Sequence, residues 1–130
     1  MTDRSTEVPR ILRCCEVGRV LEVLARSLLT YRDEHDLQAA IADRLAVAGI
    51  GHVREAQLGP RERIDLLTDD GVGIEIKVAG SWTAVTRQLL RYARHDQVRA
   101  LVLVTTQASH HQQVPAELGG ISVAVHSLIG

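Results

Sequence analysis

The segment Arg99–Thr106, with the sequence RALVLVTT, constrains the fold more than any other part of the chain. It is apolar and β-branched without alternation between polar and apolar positions, a pattern typical of a strand that is covered on both faces. Such a strand lies inside a sheet that has helices on both sides. The segment therefore predicts an α/β domain built around one central mixed sheet.

Hydrophobic periodicity predicts helices over residues 10–29, 34–48 and 83–95 and a loose arm over residues 1–9. Gly18 weakens the first helix and would break or kink it. Strands are predicted over 52–58, 62–68, 73–79, 99–106 and 121–126, with a loop or short helix interrupted by Pro115 over 107–118. The order is two helices, three strands, a helix and two strands. This order predicts a central sheet of about five strands flanked by helices.

Composition limits the functions available to the chain. The 130 residues suffice for one domain, and the formal net charge of −1 argues against a protein that depends on nonspecific phosphate contacts. Phe is absent, which disfavours base stacking on many aromatic rings. The adjacent Cys14 and Cys15 cannot form an ordinary disulfide. No signal peptide and no apolar run of ~18 residues is present, so we expect a cytoplasmic protein that does not cross a membrane.

Residues 63–78 predict a hairpin of two strands. The loop 69–71, Asp-Asp-Gly, suits a three-residue connection whose glycine takes the left-handed conformation. This register sets Asp65 opposite Glu75, with Cβ atoms about 5 Å apart on the same face. A two-residue turn made of the last two loop residues would instead set Asp65 opposite Ile76. The position of the acidic side chains therefore depends on the length of this loop.

The paired carboxylates of Asp65 and Glu75 would repel one another unless a positive charge lies between them. Mg²⁺ meets that need with oxygen ligands from few side chains. Lys77 alternates onto the same face as Glu75 and would orient a water or stabilise charge on a phosphate. The alternative is an amphipathic hairpin whose charged face is simply solvated.

The spacing of these residues resembles the core of the PD-(D/E)XK nuclease superfamily. Asp65 is followed after nine residues by Glu75-Ile76-Lys77. Glu34, at the start of the preceding helix, resembles the acidic residue that often completes this site. Gln88-Leu89-Leu90-Arg91-Tyr92 matches the Gln-x-x-x-Tyr motif of the RecB-like branch on the helix after the lysine strand. The resemblance covers roughly residues 34–106.

The resemblance implies a restriction-endonuclease-like core that hydrolyses phosphodiester bonds with Mg²⁺ or Mn²⁺. By this resemblance Asp65, Glu75 and the Ile76 carbonyl would bind the metal, and Glu34 would add a direct or water-mediated contact. Lys77 would position the attacking water, while Gln88 and Tyr92 would steady Lys77 or touch the DNA. Two departures are that Ile64 stands where the motif has proline, and that the four cysteines of iron–sulfur members are absent.

The third predicted helix carries a local basic surface that the net charge does not provide. Arg87, Arg91 and Arg94 recur at i, i+4 and i+7 and would contact DNA phosphates. Trp82, close to the predicted site, would stack on a base. A solvated helix face and a hydrophobic lid are the respective alternatives.

Other polar residues have weaker claims to a function. Glu55 could approach the site from the neighbouring strand, although a solvated role is favoured. Glu62 would face the opposite side of an unbroken strand. The pair His110-His111 is typical of a polar loop.

These features lead to a first hypothesis, a stand-alone, metal-dependent DNA nuclease that acts in repair, recombination or phage DNA processing. Residues 10–130 would form its single domain and residues 34–106 its catalytic core, and a homodimer is possible. Junction cutting is the leading endonuclease activity, and exonuclease activity stays open. The alternatives are a non-catalytic nucleic-acid-binding or assembly module of the same fold, and a sequence-specific restriction-type enzyme.

Overall fold

A computed structural model gives the structure of the protein and describes residues 15–128. The predicted arm over residues 1–9 and the first residues of the predicted helix 10–29 lie outside that range. The helices are α1 (Cys15–Arg26), α2 (Glu34–Val47), α3 (Trp82–Ala93) and α4 (Ala108–Gln113). The strands are β1 (His52–Gly59), β2 (Glu62–Thr68), β3 (Val72–Lys77), β4 (Ala100–Thr105), β5 (Glu117–Leu118) and β6 (Ile121–Ser127).

One mixed sheet of six strands organises the domain, in the order β1-β2-β3-β4-β6-β5. The strands β1, β2 and β3 form an antiparallel meander, whereas β4 runs parallel to both β3 and β6. The predicted α/β class and order of the main elements are confirmed. The strand beyond the predicted five is β5, which pairs with β6 around Gly119 and Gly120, whose φ angles of 57° and 79° suit a tight hairpin turn.

Hydrophobic clusters cover both faces of the sheet, and β4 is buried at all six positions, as its sequence predicts. Helices α1 and α2 pack on one face and α3 and α4 on the other. We call these faces the α2 side and the α3 side. Within the sheet, Ile74, Ile76 and Val102 face the α2 side, while Leu101, Leu103 and Val123 face the α3 side.

Packing, rather than local propensity, decides the course of α1. The helix continues through Gly18, so the predicted break does not occur, and it ends at Arg26. Val17, Val20 and Leu24 are buried along one side of it, and this burial outweighs the helix penalty of one glycine. None of the helices in residues 15–128 is both long enough and apolar enough to span a membrane.

Side chains fix the beginnings of two further helices. Asp33 accepts a hydrogen bond of 2.8 Å from the Asp36 N–H, so the predicted cap of α2 is confirmed. Ser81 caps α3 in the same way through the Ala84 N–H. Each cap satisfies an N–H of the first helical turn that has no partner within the helix.

Candidate functional site

The hairpin between β2 and β3 has the register that a three-residue loop predicts. Leu66 pairs with Ile74 and Leu67 with Gly73, which is the register that sets Asp65 opposite Glu75. The loop glycine has the expected left-handed conformation, with a φ of 91° at Gly71. The predicted register is therefore confirmed, and the two-residue turn is wrong.

Beyond these pairs the two strands separate, and carboxylates replace the missing strand partner. The Ile76 N–H donates to Asp65 Oδ2 at 2.8 Å. The Val78 N–H, two residues along the same edge, donates to Glu34 Oε1 at 3.0 Å. A buried N–H left without a partner would destabilise the fold. Both acids therefore stabilise the sheet edge, and each has a second carboxylate oxygen that does not contact this edge. We call this opening the β2–β3 cleft.

The regular alternation of sides breaks where Asp65 enters the cleft. Ile64 packs on the α3 side, but Leu66, two residues later, packs on the α2 side. On the neighbouring strand, Glu55 has a left-handed φ of 51°, between the pairs Arg54–Leu66 and Ala56–Ile64. Because of this twist, the Asp65 side chain reaches the backbone edge of β3. The sequence predicts instead that Asp65 projects from the same face as Glu75, and that prediction is wrong.

Glu75 is a buried acid in a central strand, with only 3% of its surface exposed. The Lys77 Nζ lies 3.3 Å from Glu75 Oε2, so these two side chains share one face as expected. The Asp65 N–H donates to Glu75 Oε1 at a long 3.4 Å. Burial, and then the nearby Asp65 charge, raise the pKa of Glu75 to about 8, while Lys77 opposes that rise.

Asp65 experiences a similar surplus of negative charge. Its pKa is raised chiefly by burial, and the charges of Glu55 and Glu34 add to that rise. The hydrogen bond from the Ile76 N–H and the charge of Lys77 act in the opposite direction. The acids around Asp65 therefore outnumber their ion-pair partners, which within residues 15–128 are Lys77 for Glu75 and Arg63 for Glu55.

A hollow of about 210 Å³ opens beside Asp65 on the α2 side. Its lining consists of Glu34, His35, Gln38, Glu55 and Asp65. Gln38 is 4% exposed, and its amide nitrogen lies 3.4 Å from both Glu55 Oε1 and Asp65 Oδ1. Sequence reasoning overlooked Gln38, although its i+4 spacing from Glu34 places the two on one side of α2. Glu55 is exposed, as its predicted solvated role requires, and its side chain also reaches the hollow.

Gln88 and Tyr92 form a pair on α3, as the motif suggests, but their contacts lead to β2. The Gln88 amide donates to Tyr92 Oη at 2.7 Å, and the Tyr92 hydroxyl donates to the Arg63 carbonyl at 3.0 Å. Burial, followed by the charges of Glu75 and Asp65, raises the pKa of Tyr92. The pair therefore backs the carboxylates and fastens α3 to the strand that carries Asp65.

The predicted DNA-contacting residues, which lie on α3 and at its C-cap Arg94, are all exposed. They are Arg87, Arg91 and Arg94, together with Trp82, which is 38% exposed in the first turn. The Arg91 Nε lies 3.4 Å from Glu62 Oε2, so one arginine of the stripe is engaged in an ion pair. The stripe is therefore accessible to a solvent-borne ligand.

His110 departs from the polar loop that its sequence predicts. It is fully buried, and its Nδ1 lies 2.8 Å from the Thr105 hydroxyl oxygen. Its Nε2 lies 2.9 Å from the Gly80 carbonyl, so the imidazole ties the end of β4 to the loop that follows β3. This contact between residues 30 positions apart carries no signal in the sequence. His111 is exposed, as a polar loop predicts.

The donor atoms at the cleft suit a hard divalent cation. Among residues 15–128, no group of three or more His, Cys, Asp and Glu side chains converges as a ready metal ligand set. Mg²⁺ needs less, because one or two carboxylates with waters suffice. The Ile76 carbonyl shares the cleft edge with the Ile76 N–H, since both groups of a residue point to the same neighbouring strand. Asp65, Glu75 and this carbonyl therefore form a fitting set of oxygen donors.

Comparison of the chain with protein-family models, with curated proteins and with solved structures gave no match.

Proposed function

We propose that the chain is a Mg²⁺- or Mn²⁺-dependent DNA nuclease with a restriction-endonuclease-like core, of the RecB-like branch of the PD-(D/E)XK superfamily. One observation carries this proposal, the meeting of Asp65, Glu75 and Lys77 where β2 and β3 separate. The Lys77 Nζ lies 3.3 Å from Glu75 Oε2, and the Asp65 backbone N–H lies 3.4 Å from Glu75 Oε1, so Glu75 links the other two residues.

The charge balance of the cleft supports cation binding. Lys77 is the ammonium group near both Asp65 and Glu75, and burial raises the pKa of both carboxyls, with the charge of Asp65 adding to the rise at Glu75. The contacts to Glu75 and to Asp65 Oδ1 are 3.3 to 3.4 Å long, above the usual hydrogen-bond distance of about 2.9 Å. An ionised carboxylate has about four lone-pair sites, so Asp65 and Glu75 keep lone pairs for a metal ion beside these contacts.

Lys77 is the single lysine in a chain that contains fourteen arginines. The chain thus uses arginine for every other strong cation and an ammonium group only at the cleft. An ammonium group is a compact point charge that rotates its three donors, whereas guanidinium is a planar fork suited to bidentate contacts. A single water or phosphate oxygen beside two acids suits the ammonium group better.

The residues of the cleft have separate roles in the proposed hydrolysis. A bound divalent cation supplies polarisation of a phosphate oxygen and acidification of a water molecule. Lys77 orients the attacking water and stabilises the charge that develops on the phosphate. Asp65 and Glu75 supply the anionic oxygens, and Asp65 is held in place by the Ile76 N–H. Tyr92 closes the cleft behind Glu75 and excludes water there.

DNA would approach from the exposed side of α3. Arg87, Arg91 and Arg94 supply phosphate contacts, and Trp82 supplies a ring for stacking on a base. This local basic surface compensates for the net charge of −1. The proposal includes a cytoplasmic setting in DNA repair, recombination or phage DNA processing, with a homodimer as the form suited to junction cutting.

The test compares the parent protein with Lys77→Ala on single-stranded, duplex, flap and four-way-junction DNA in the presence of Mg²⁺ or Mn²⁺. We expect metal-dependent cutting by the parent and a loss of about 100- to 1,000-fold in the variant, the usual effect of removing one group that stabilises transition-state charge. DNA binding in Ca²⁺ should persist in both.

Arg44→Ala is the matched control, because it removes an exposed cation at the other end of α2 from Glu34. Its cutting rate should equal that of the parent. Equal cutting by the parent and the Lys77 variant would refute the catalytic assignment. Binding without cutting by the parent would instead support the non-catalytic nucleic-acid-binding module.

A further inference from the structure

Gln38 is a buried polar residue on the apolar side of α2. Its neighbours on that side, Leu37, Ile41 and Leu45, are buried as well. Its amide has hydrogen-bond partners on β1 and β2, namely Arg54, Glu55 and Asp65. The buried Gln38 amide thus contacts the proposed metal ligand Asp65 and a second acid, Glu55, and these contacts indicate its function.

The contacts of Gln38 fix which way its amide points. The Arg54 Nε donates to Gln38 Oε1 at 3.0 Å, and arginine has no acceptor atom. Ionised carboxylates only accept, so the amide nitrogen must face Asp65 and Glu55, each at 3.4 Å. Rotating the amide by half a turn would set its oxygen against two carboxylates and its nitrogen against a cation. Arg54 therefore holds the two donors of Gln38 towards the acids.

We infer that Gln38 is a positioning residue, which orients Asp65 for cation binding without neutralising its charge. This inference rests on the proposed metal site. Within the described residues, Glu55 and Glu75 have cationic partners in Arg63 and Lys77, and Asp65 has none at ion-pair distance. A cation at position 38 would compete with the metal for Asp65. A neutral donor restrains the carboxylate and leaves its charge for the metal.

The experiment measures Mn²⁺ affinity directly, from the electron paramagnetic resonance signal of unbound Mn²⁺ at pH 8.5. The variants are Gln38→Met, which keeps a long unbranched side chain without donors, and Arg54→Met, which keeps the amide and frees it to rotate. Groups that orient metal ligands typically contribute 10- to 100-fold to metal affinity. We expect about a tenfold higher Kd for Gln38→Met and a smaller increase for Arg54→Met. Gln112→Met, an exposed position on α4, is the control and should not change the Kd.

The outcomes separate this inference from the proposed nuclease activity. A purely structural role would lower the urea midpoint of metal-free Gln38→Met but leave its Kd for Mn²⁺ unchanged, and that result would overturn the inference. Should Gln38→Met not fold, an unchanged Kd for Arg54→Met, whose side chain is exposed, would overturn it instead. Weaker Mn²⁺ binding in a protein that cuts no DNA would uphold the inference and refute the nuclease. A parent protein that binds no Mn²⁺ would overturn both.

Discussion

The buried carboxylate of Glu75 should make the metal-free protein less stable as the pH rises. Burial is the main cause of its raised pKa, and the charge of Asp65 adds to it. The folded protein therefore keeps a proton on Glu75 up to a pH of about 8, whereas the unfolded chain releases it near 4.5. The stabilising effect of that proton is fully present below pH 4.5 and is lost as the pH rises through 8.

The size of the effect follows from the shift in pKa. Each pKa unit corresponds to about 1.36 kcal/mol, so the rise from 4.5 to about 8 amounts to at most about 4 to 5 kcal/mol. A domain with a typical free energy of unfolding of about 5 to 15 kcal/mol would lose a large share of it. The variant Glu75→Gln keeps the shape of the side chain and removes its ionisation. Above pH 8 it should be more stable than the metal-free parent.

The assay is urea unfolding of both proteins in EDTA at several values between pH 5 and pH 9. The difference in free energy of unfolding between parent and variant isolates Glu75, because other titrating groups contribute to both. Replacement of the EDTA by Mn²⁺ at pH 8.5, under argon, should restore the stability of the parent and have little effect on Glu75→Gln. Glu22→Gln is the control, since its ion pair with Arg26 lies on the surface. Parallel pH profiles for the parent and Glu75→Gln would refute the reasoning.

Two further measurements examine the cleft and its support. Reductive methylation with ¹³C-formaldehyde labels one lysine in this chain, Lys77, besides the N-terminus. The NMR signal of Lys77 should shift when Mg²⁺ binds beside Glu75. A chemical shift that does not change with Mg²⁺ would contradict the proposed site. Tyr92→Phe leaves the Gln88 amide and the Arg63 carbonyl without the hydroxyl that joins them, and it should lower the free energy of unfolding by about 1 to 3 kcal/mol. Urea unfolding measures that loss, and an unchanged midpoint would show that the hydroxyl is dispensable.

The sequence predicted those parts of the fold that short-range rules govern. The loop 69–71 determined the hairpin register through its length and its glycine, and the run of β4 determined a strand buried on both faces. Asp33 determined the start of α2. In each case the deciding interactions lie within a few residues, so the local sequence contains the necessary information.

Contacts between distant segments account for what the sequence did not predict. The backbone edge beyond Ile76 is completed by Glu34, which is 44 positions away from the Val78 N–H that it satisfies. The continuity of α1 through Gly18 depends on burial against the sheet, and the burial of His110 depends on the Gly80 carbonyl. The contacts of Gln38 depend on which residues of β1 and β2 face α2. None of these pairings follows from periodicity or spacing.

The two carboxylates that complete the edge of β3 have a structural role that is independent of catalysis. Asp65 and Glu34 satisfy the backbone at Ile76 and Val78 whether or not any chemistry takes place. A descendant of this chain without the proposed nuclease activity would still be selected to keep both acids, because its sheet would need them. Lys77 makes no comparable contact with the backbone in residues 15–128, since its ammonium group contacts only Glu75 there. Replacement of the lysine, rather than of the acids, would therefore be the first sign in a related sequence that the proposed activity is missing.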